Sequence, residues 1–275
     1  MPNHIINILT IEGSEELVAR IKSEISGFTK EEEGVEMPID FDKIAPLPKE
    51  LEGTTSPSRI ISQKDYDAQE ARIASGDLEE HEKQFGVSRG ITQEMHDEYI
   101  RRYGYADWYG WRNNTWGTKW NAYDQESRDN GDIKFETAWS TPAKLMEILS
   151  NKYPEATFKV RFADEDFGHN VGEYHMKAGD VIKENIPEGG SEDAYMMACD
   201  IRNEWDYIPS RIEEMEEDDL GQKWAQRYLR IAYNKALFGD YPKFIWDRLQ
   251  QMSVDEENYE LAQKIKDYLE QEQTV

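Results

Sequence analysis

The residues best suited to binding lie in one stretch, Trp108 to Asp124, which reads WYGWRNNTWGTKWNAYD and holds four of the eight tryptophans. Large aromatic rings supply contact area and the Asn and Lys side chains supply polar groups, so this stretch can anchor a sheet or line a binding surface. If it is a strand, Trp116 and Trp120 share one face with Thr118, and their rings are structural. Three polar side chains have no use in a core and are candidate binding residues: Lys119, Asn121 and Asn3.

A second group of chemically active side chains follows a predicted strand. Asp164, Glu165 and Asp166 precede His169 and His175, and these are the donor types of a hard-cation or mixed metal site. The loop lacks the twelve-residue calcium pattern, so a strand end with solvated charges is the favoured interpretation of Asp164 and Glu165. We therefore expect no metal and no cofactor.

Known catalytic motifs are missing from the sequence. There is no HExxH pair, no glycine-rich phosphate loop and no GxSxG elbow. The lone cysteine, Cys199, sits among apolar neighbours on a predicted helix, which favours a buried, inert thiol. The sequence therefore predicts no catalytic residue, and an enzyme would need an unrecognised site around Asp164, Lys119 and Asn121.

Charge narrows the choice of partner. The net charge is −25, from 57 acidic and 32 basic side chains, which opposes contact with phosphate backbones and argues against nucleic acid. Residues 184–219 carry thirteen acids against two arginines, a local charge of −11. Such a run attracts basic partners and can mimic a nucleic-acid backbone, or it can be a soluble linker. The densest acids form a candidate partner surface: Glu213, Glu214, Glu216, Glu217, Asp218 and Asp219.

The periodicity of the first half indicates an α+β fold. Apolar residues on both phases of 3–11 predict a central strand, and the stripe after Ser14 predicts a helix. Asn130-Gly131 predicts a hairpin turn, Thr141-Pro142 a helix start, and 158–162 a further strand. This order is that of a ferredoxin-like split βαβ fold with a large insertion after the first helix, at about 29–107. Residues 171–186 predict an extra hairpin at the sheet edge.

Three regions follow from these patterns. Residues 1–186 form the predicted ferredoxin-like domain, 187–220 an acidic connector, and 221–275 a small helical unit with three amphipathic stripes. The single cysteine and the lack of a signal peptide or an apolar run of about 20 residues predict a cytoplasmic protein without a membrane span. A homo-oligomer is compatible with the sequence.

Several separated motifs together resemble one family, the YubB-like ferredoxin-fold proteins of plasmids, phages and other mobile elements. The resemblance covers roughly residues 1–175. Its motifs contain the candidate binding residues, whose role is unknown: Asn3, Asn7, Trp116, Lys119, Trp120, Asn121, Asp164 and Glu165. Position 4 has histidine where the family usually has tryptophan. The motifs are MPNHIINILTIEG, FDKIAPLPKEL, NTWGTKWNAYD, FETAWSTP and YPEATFKVRFADEDFG. The resemblance implies a ferredoxin-like fold and brings no established activity.

Three classes of function remain open at this point. The leading hypothesis is a non-enzymatic accessory protein of a mobile element that binds or inhibits a host or phage protein, which can be basic. The alternatives are single-stranded nucleic-acid binding through sheet aromatics and an enzyme with an unrecognised site.

Overall fold

The computed structural model describes residues 3–28, 34–202, 243–255 and 258–272. Its main sheet has six strands in the order β4-β5-β1-β6-β7-β8, and a separate two-stranded ribbon pairs β2 with β3. The strands are β1 (His4–Glu12), β2 (Gly27–Phe28), β3 (Glu36–Met37), β4 (Tyr123–Ser127), β5 (Ile133–Ala138), β6 (Thr157–Asp164), β7 (Val171–Lys177) and β8 (Asp180–Asn185).

Several of the described helices begin or end at a capping residue. They are α1 (Glu15–Ile25), α2 (Phe41–Ile44), α3 (Gln63–Ala74), α4 (Glu80–Phe85), α5 (Gln93–Tyr103), α6 (Trp108–Thr115), α7 (Ala143–Lys152), α8 (Glu192–Arg202), α9 (Lys243–Asp255) and α10 (Tyr259–Glu272), with a 3-10 turn at Lys49–Leu51. Ser14 and Thr92 cap α1 and α5 by accepting a backbone N–H, and Gly104 ends α5 in the left-handed region. The sequence predicted a helix start at Thr141-Pro142, but Thr141 does not cap α7. Pro142 occupies the N-cap position, and the Thr141 hydroxyl lies 3.1 Å from the Tyr174 hydroxyl.

The strand order confirms the ferredoxin-like α+β fold. Within the sheet, β4-β5-β1-β6 is the order of a split βαβ unit, with α1 following β1 and α7 joining β5 to β6. Strands β1 and β5 are antiparallel and pair His4 with Ala138 and Asn7 with Phe135. The predicted edge hairpin is present as β7 and β8. The C-terminal helices α9 and α10 pack against each other, as a helical extension predicts.

The segment 39–51, within the predicted insertion, packs against one face of the sheet. Phe41 of α2 is fully buried, and its ring centroid lies 5.9 Å from that of Phe135 on β5. Ile39 and Leu51 are also fully buried, so this proline-containing segment supplies core residues without long secondary structure.

The chain divides into two compact units, one formed by Met1–Arg161 with Glu173–Glu184 and the other by Phe162–Gly172 with Asn185–Val275. In the second unit, Phe167 stacks on Tyr195 with ring centroids 6.1 Å apart. A Cβ atom at Gly168 would lie 2.3 Å from the Tyr195 ring, so only glycine allows this close approach.

The acidic connector is more structured at its start than its charge suggested. Residues 192–202 form α8, and Ala194, Tyr195 and Cys199 are buried on it. The apolar residues of this segment therefore have a packing role, which the surrounding acids concealed. The boundaries predicted at 186 and 220 stay predictions, and the first stripe of the terminal unit lies outside the described residues. No helix in the described ranges is long and apolar enough to cross a bilayer.

Candidate functional site

Helix α6 arranges the first half of the aromatic stretch. Asp107 caps it by accepting the Gly110 N–H at 2.8 Å. Trp108, Arg112 and Trp116 follow one another at intervals of four residues, which places them on one side of the helix. The Arg112 guanidinium carbon lies 5.3 Å from the Trp108 ring centroid and 4.7 Å from that of Trp116. The arginine is therefore held by cation–π contacts on both sides.

Trp116 is the buried anchor of the stretch. Its side chain is fully buried, and its indole N–H donates to the Ala45 carbonyl at 2.8 Å. Edge-to-face contacts join its ring to Phe41 and Trp111, at centroid distances of 5.6 and 5.9 Å. A ring of this size with its polar atom satisfied contributes strongly to the core. The structural interpretation of Trp116 agrees with this environment.

The strand assigned to residues 116–120 is wrong. Trp116 is the C-cap of α6, and Gly117 takes a φ of +86°, which reverses the chain and is accessible to glycine without strain. The Thr118 hydroxyl donates to the Ala138 carbonyl at 2.7 Å, so Thr118 is buried instead of alternating along a strand. The reversal separates the two tryptophans, and Trp120 is 39% exposed.

Two exposed tryptophans and a partly exposed lysine form what we name the aromatic–lysine surface: Lys119, Trp120 and Trp139. The Lys119 ammonium nitrogen lies 4.0 Å from the Trp120 ring centroid and 5.9 Å from that of Trp139. Trp139 is 52% exposed. In the described part of the chain Lys119 forms no ion pair, so its charge is available to a partner as well as to the two rings.

Trp139 is held in an unfavourable backbone conformation. Its φ of +71° is in the left-handed region, which is an outlier for a bulky residue and costs on the order of 1–3 kcal/mol. The turn around it is fixed by several hydrogen bonds: Trp139 N–H to the Asn3 carbonyl at 2.9 Å, the Thr137 hydroxyl to the Ser140 carbonyl at 2.8 Å, and the Ser140 hydroxyl to the Gly117 carbonyl at 2.5 Å. The fold therefore orients an exposed tryptophan at an energetic cost.

A polar cluster lies beside this surface. Glu136 is opposite both Tyr123 and Ile6 in the sheet register, and His4 is two residues from Ile6, so His4, Tyr123 and Glu136 share one face. His4 Nδ1 lies 2.9 Å from the Tyr123 hydroxyl and 3.5 Å from Glu136 Oε2. The Trp120 and Tyr123 rings are in edge contact at 6.3 Å, which joins the cluster to the surface.

Two of the predicted binding residues are internal. The Asn121 carboxamide accepts the Phe41 N–H at 2.9 Å and donates to Asp40 at 2.8 Å, so it fixes the start of α2. Asn7 is fully buried; its amide donates to the Ile5 carbonyl at 3.0 Å and to the Thr137 hydroxyl at 2.9 Å. The expectation that Asn121 has no use in the core was wrong, because its hydrogen bonds position core segments.

The other predicted residues are scattered. The Asn3 carbonyl accepts the Trp139 N–H, which places Asn3 behind the aromatic–lysine surface. Asp164 is buried and accepts the Asp166 N–H at 2.9 Å and the Asn170 amide at 2.8 Å, which closes the turn after β6, whereas Glu165 is exposed. The described residues contain no group of three or more side chains placed to hold a metal ion. The six acids Glu213 to Asp219 lie outside the described residues.

Sequence reasoning missed Arg112 and Trp108, which line an open cleft of about 290 Å³ together with Trp120. Burial lowers the pKa of the Arg112 guanidinium, while the carboxylates of Asp42 and Glu52 act in the opposite direction. An arginine remains charged despite such a shift. The signal that could have found this site is the four-residue spacing of Trp108, Arg112 and Trp116.

The topology and the site together define a ferredoxin-like α+β domain that carries an exposed aromatic surface. Residues 115–207 match the family model described as "Ferredoxin-like domain in Api92-like protein". That description states a fold and no activity, and the match includes the turn, Trp120, Trp139 and helix α8. The YubB-like resemblance and its mobile-element setting stay predictions.

No curated protein matches the chain significantly. A crystal structure of the protein api92 from Yersinia pseudotuberculosis is similar to 69% of this chain and 99% of that chain, with 11% sequence identity and a TM-score of 0.35.

The different environments of the two tryptophans predict different stability losses. Trp116→Ala should lower the free energy of unfolding by about 3–5 kcal/mol, because it removes a fully buried ring. Trp120→Ala should cost less than about 1 kcal/mol, because that ring is partly solvated. Urea unfolding followed by circular dichroism measures both values. Equal losses in the two variants would show that the rings have similar burial.

Asn121 provides a second test. Asn121→Ala should lower the free energy of unfolding by about 1–3 kcal/mol, because the Phe41 N–H loses its acceptor and Asp40 loses a donor. The control is Asn114→Ala, since the exposed Asn114 amide donates to the Gly110 carbonyl of its own helix. That change should stay within about 0.5 kcal/mol. A loss at Asn121 no larger than at Asn114 contradicts the positioning role.

Proposed function

We propose that this chain is a non-enzymatic binding module that recognises a protein partner through the aromatic–lysine surface. The observation that carries the proposal is Trp139, an exposed tryptophan in a strained backbone conformation, 52% exposed with a φ of +71°. Neither core packing nor backbone preference explains that arrangement. Strained residues that the surrounding structure holds in place are concentrated at functional sites.

The chemistry of the surface suits a protein interface. Tryptophan is among the residues most enriched at interface hot spots, because it offers a large apolar area and a polar N–H. Trp120 and Trp139 both lie within cation–π range of Lys119, so the three side chains can contact a partner as one patch. A fixed arrangement of rings also lowers the entropy lost on binding.

The acidic run supports a partner of opposite charge. Glu213, Glu214, Glu216, Glu217, Asp218 and Asp219 lie within the stretch of charge −11 noted in the sequence. Charge of this density along the sequence would accelerate association with a basic surface and do little for the dissociation rate. We propose a basic host or phage protein as the partner and an accessory or inhibitory role in a mobile element. Only the sequence resemblance supports that setting.

Single-stranded nucleic acid is the less favoured alternative. Tyr123 lies on the sheet face that carries His4 and Glu136, but a phosphate backbone also needs several unpaired cations. Lys134 lies 3.6 Å from Glu126, and Lys159 is paired with Glu12. These lysines are already neutralised by neighbouring carboxylates.

The proposal is tested with a partner recovered by pull-down from host lysate. Trp139→Ala should weaken its binding by about 2 kcal/mol or more, roughly 30-fold in Kd, because a central interface tryptophan is lost. The matched control is Tyr259→Ala, which removes an aromatic side chain that is 64% exposed on α10. Surface plasmon resonance measures both affinities. Equal affinities for Trp139→Ala and the parent, or an equal loss in the control, would exclude the aromatic–lysine surface as the interface.

Surface plasmon resonance also tests whether the acidic run contributes to association. Replacing its six densest acids by Gln and Asn should slow association and reduce its dependence on salt, because exposed charges are screened as the Debye length falls from about 10 Å at 0.1 M to about 3 Å at 1 M. An unchanged association rate and salt dependence would mean that the run is a solvated connector. A gel-shift assay with single-stranded DNA at low salt checks the alternative.

A further inference from the structure

The cleft beside α6 is lined by a cationic side chain, Arg112, that does not belong to the aromatic–lysine surface. Arg112 lines it with Trp108 and Trp120, in a volume of about 290 Å³. The Arg112 Nε atom is buried, and no hydrogen-bond acceptor reaches it from the described residues. A partly buried guanidinium normally pairs with a carboxylate or a carbonyl, because leaving a buried donor such as Nε unsatisfied is costly.

The contacts of Arg112 are aromatic. The Trp108 and Trp116 rings hold it by cation–π interaction, and these contacts leave the N–H donors in the plane of the guanidinium unoccupied. Among the described residues no hydrogen bond occupies the indole N–H of Trp108 or Trp120 either. The cleft therefore combines a planar cationic fork with aromatic walls and further donors.

We propose that this cleft binds a small planar monoanion, a carboxylate attached to an aromatic or apolar body, with the carboxylate on Arg112 and the body against Trp108 and Trp120. The fork of a guanidinium matches a carboxylate in two parallel hydrogen bonds. The body of the ligand covers the indole rings, which line the cleft together with Leu47 and Val87.

The charges of the lining limit the ligand to a single negative charge. Arg112 is accompanied in the cleft by one acid, Glu52, and by the neutral Ser88. A phosphate dianion or a diphosphate would meet a single cation and be repelled by Glu52 more strongly than one carboxylate. The alternative is a purely structural role, in which the aliphatic part of Arg112 covers the Trp116 ring and the cleft binds no ligand.

Benzoate is a suitable probe, and benzamide is its neutral counterpart of the same shape. Tryptophan fluorescence and the indole N–H signals in NMR spectra of the full-length protein report binding. Benzoate should bind at least about tenfold more tightly than benzamide, because a charge-assisted bidentate pair is lost with the neutral amide. Inorganic phosphate should bind more weakly than benzoate. Equal binding of benzoate and benzamide, stronger binding of phosphate, or no saturation by benzoate up to about 10 mM would overturn the proposal.

Variants assign the effect to Arg112. Arg112→Gln should weaken benzoate binding by about tenfold or more, and Arg112→Lys should give an intermediate loss because lysine keeps the charge without the fork. Arg101→Gln, at an exposed position of α5, is the matched control and should change nothing. Equal losses in Arg112→Gln and Arg101→Gln would contradict the site. The benzoate and benzamide comparison needs only the parent protein, so it remains decisive if Arg112→Gln does not fold.

The cleft shares Trp120 with the aromatic–lysine surface, but Arg112 and Trp139 each belong to one of the two sites and allow them to be tested separately. Trp139 belongs to the aromatic–lysine surface and does not line the cleft. Trp139→Ala should therefore weaken binding of the protein partner and leave benzoate binding unchanged. Arg112→Gln should weaken benzoate binding and leave the affinity for the protein partner unchanged. Loss of benzoate binding in Trp139→Ala would contradict a separate anion site.

Discussion

The burial of Trp116 is the interaction on which the described site depends. Its ring fills the space between Phe41 and Trp111, and its indole N–H is satisfied by the Ala45 carbonyl. Because this anchor fixes the end of α6, the chain must reverse at Gly117 to continue into β4. The reversal places Lys119 and Trp120 at the surface. The buried ring and the turn that follows it thus leave Trp120 at the surface.

The two proposed binding sites share one residue, Trp120. On the surface it contacts Lys119, which also lies near Trp139, and this arrangement suits a protein interface. It also lines the cleft of Arg112, a half-buried cation whose Nε has no acceptor among the described residues. The acidic composition of the whole chain hides this basic position, since its net charge of −25 indicates nothing about local donors.

Strand and cap signals in the sequence were sufficient for the fold. Both phases of β1 are apolar, and Ser14, Thr92 and Gly104 mark helix ends by local chemistry. Helix α6 was missed because residues 110, 113 and 114 are glycine and asparagine, which have low helix propensity, although Asp107 caps it. The exposure of Trp139 could not be predicted, because its positive φ depends on hydrogen bonds to distant segments. The cleft likewise forms from segments far apart in sequence.

The central claim is that one stretch contains a buried anchor and that its turn presents an exposed aromatic pair. Solvent paramagnetic relaxation tests it directly, by adding a soluble paramagnetic agent and recording the loss of each assigned tryptophan indole signal. The indole signals of Trp120 and Trp139 should be strongly attenuated, because these side chains are 39% and 52% exposed. The signal of Trp116 should be retained, because its side chain is fully buried. Attenuation of Trp116 to the same extent, or protection of Trp139 in the free protein, would contradict the central claim.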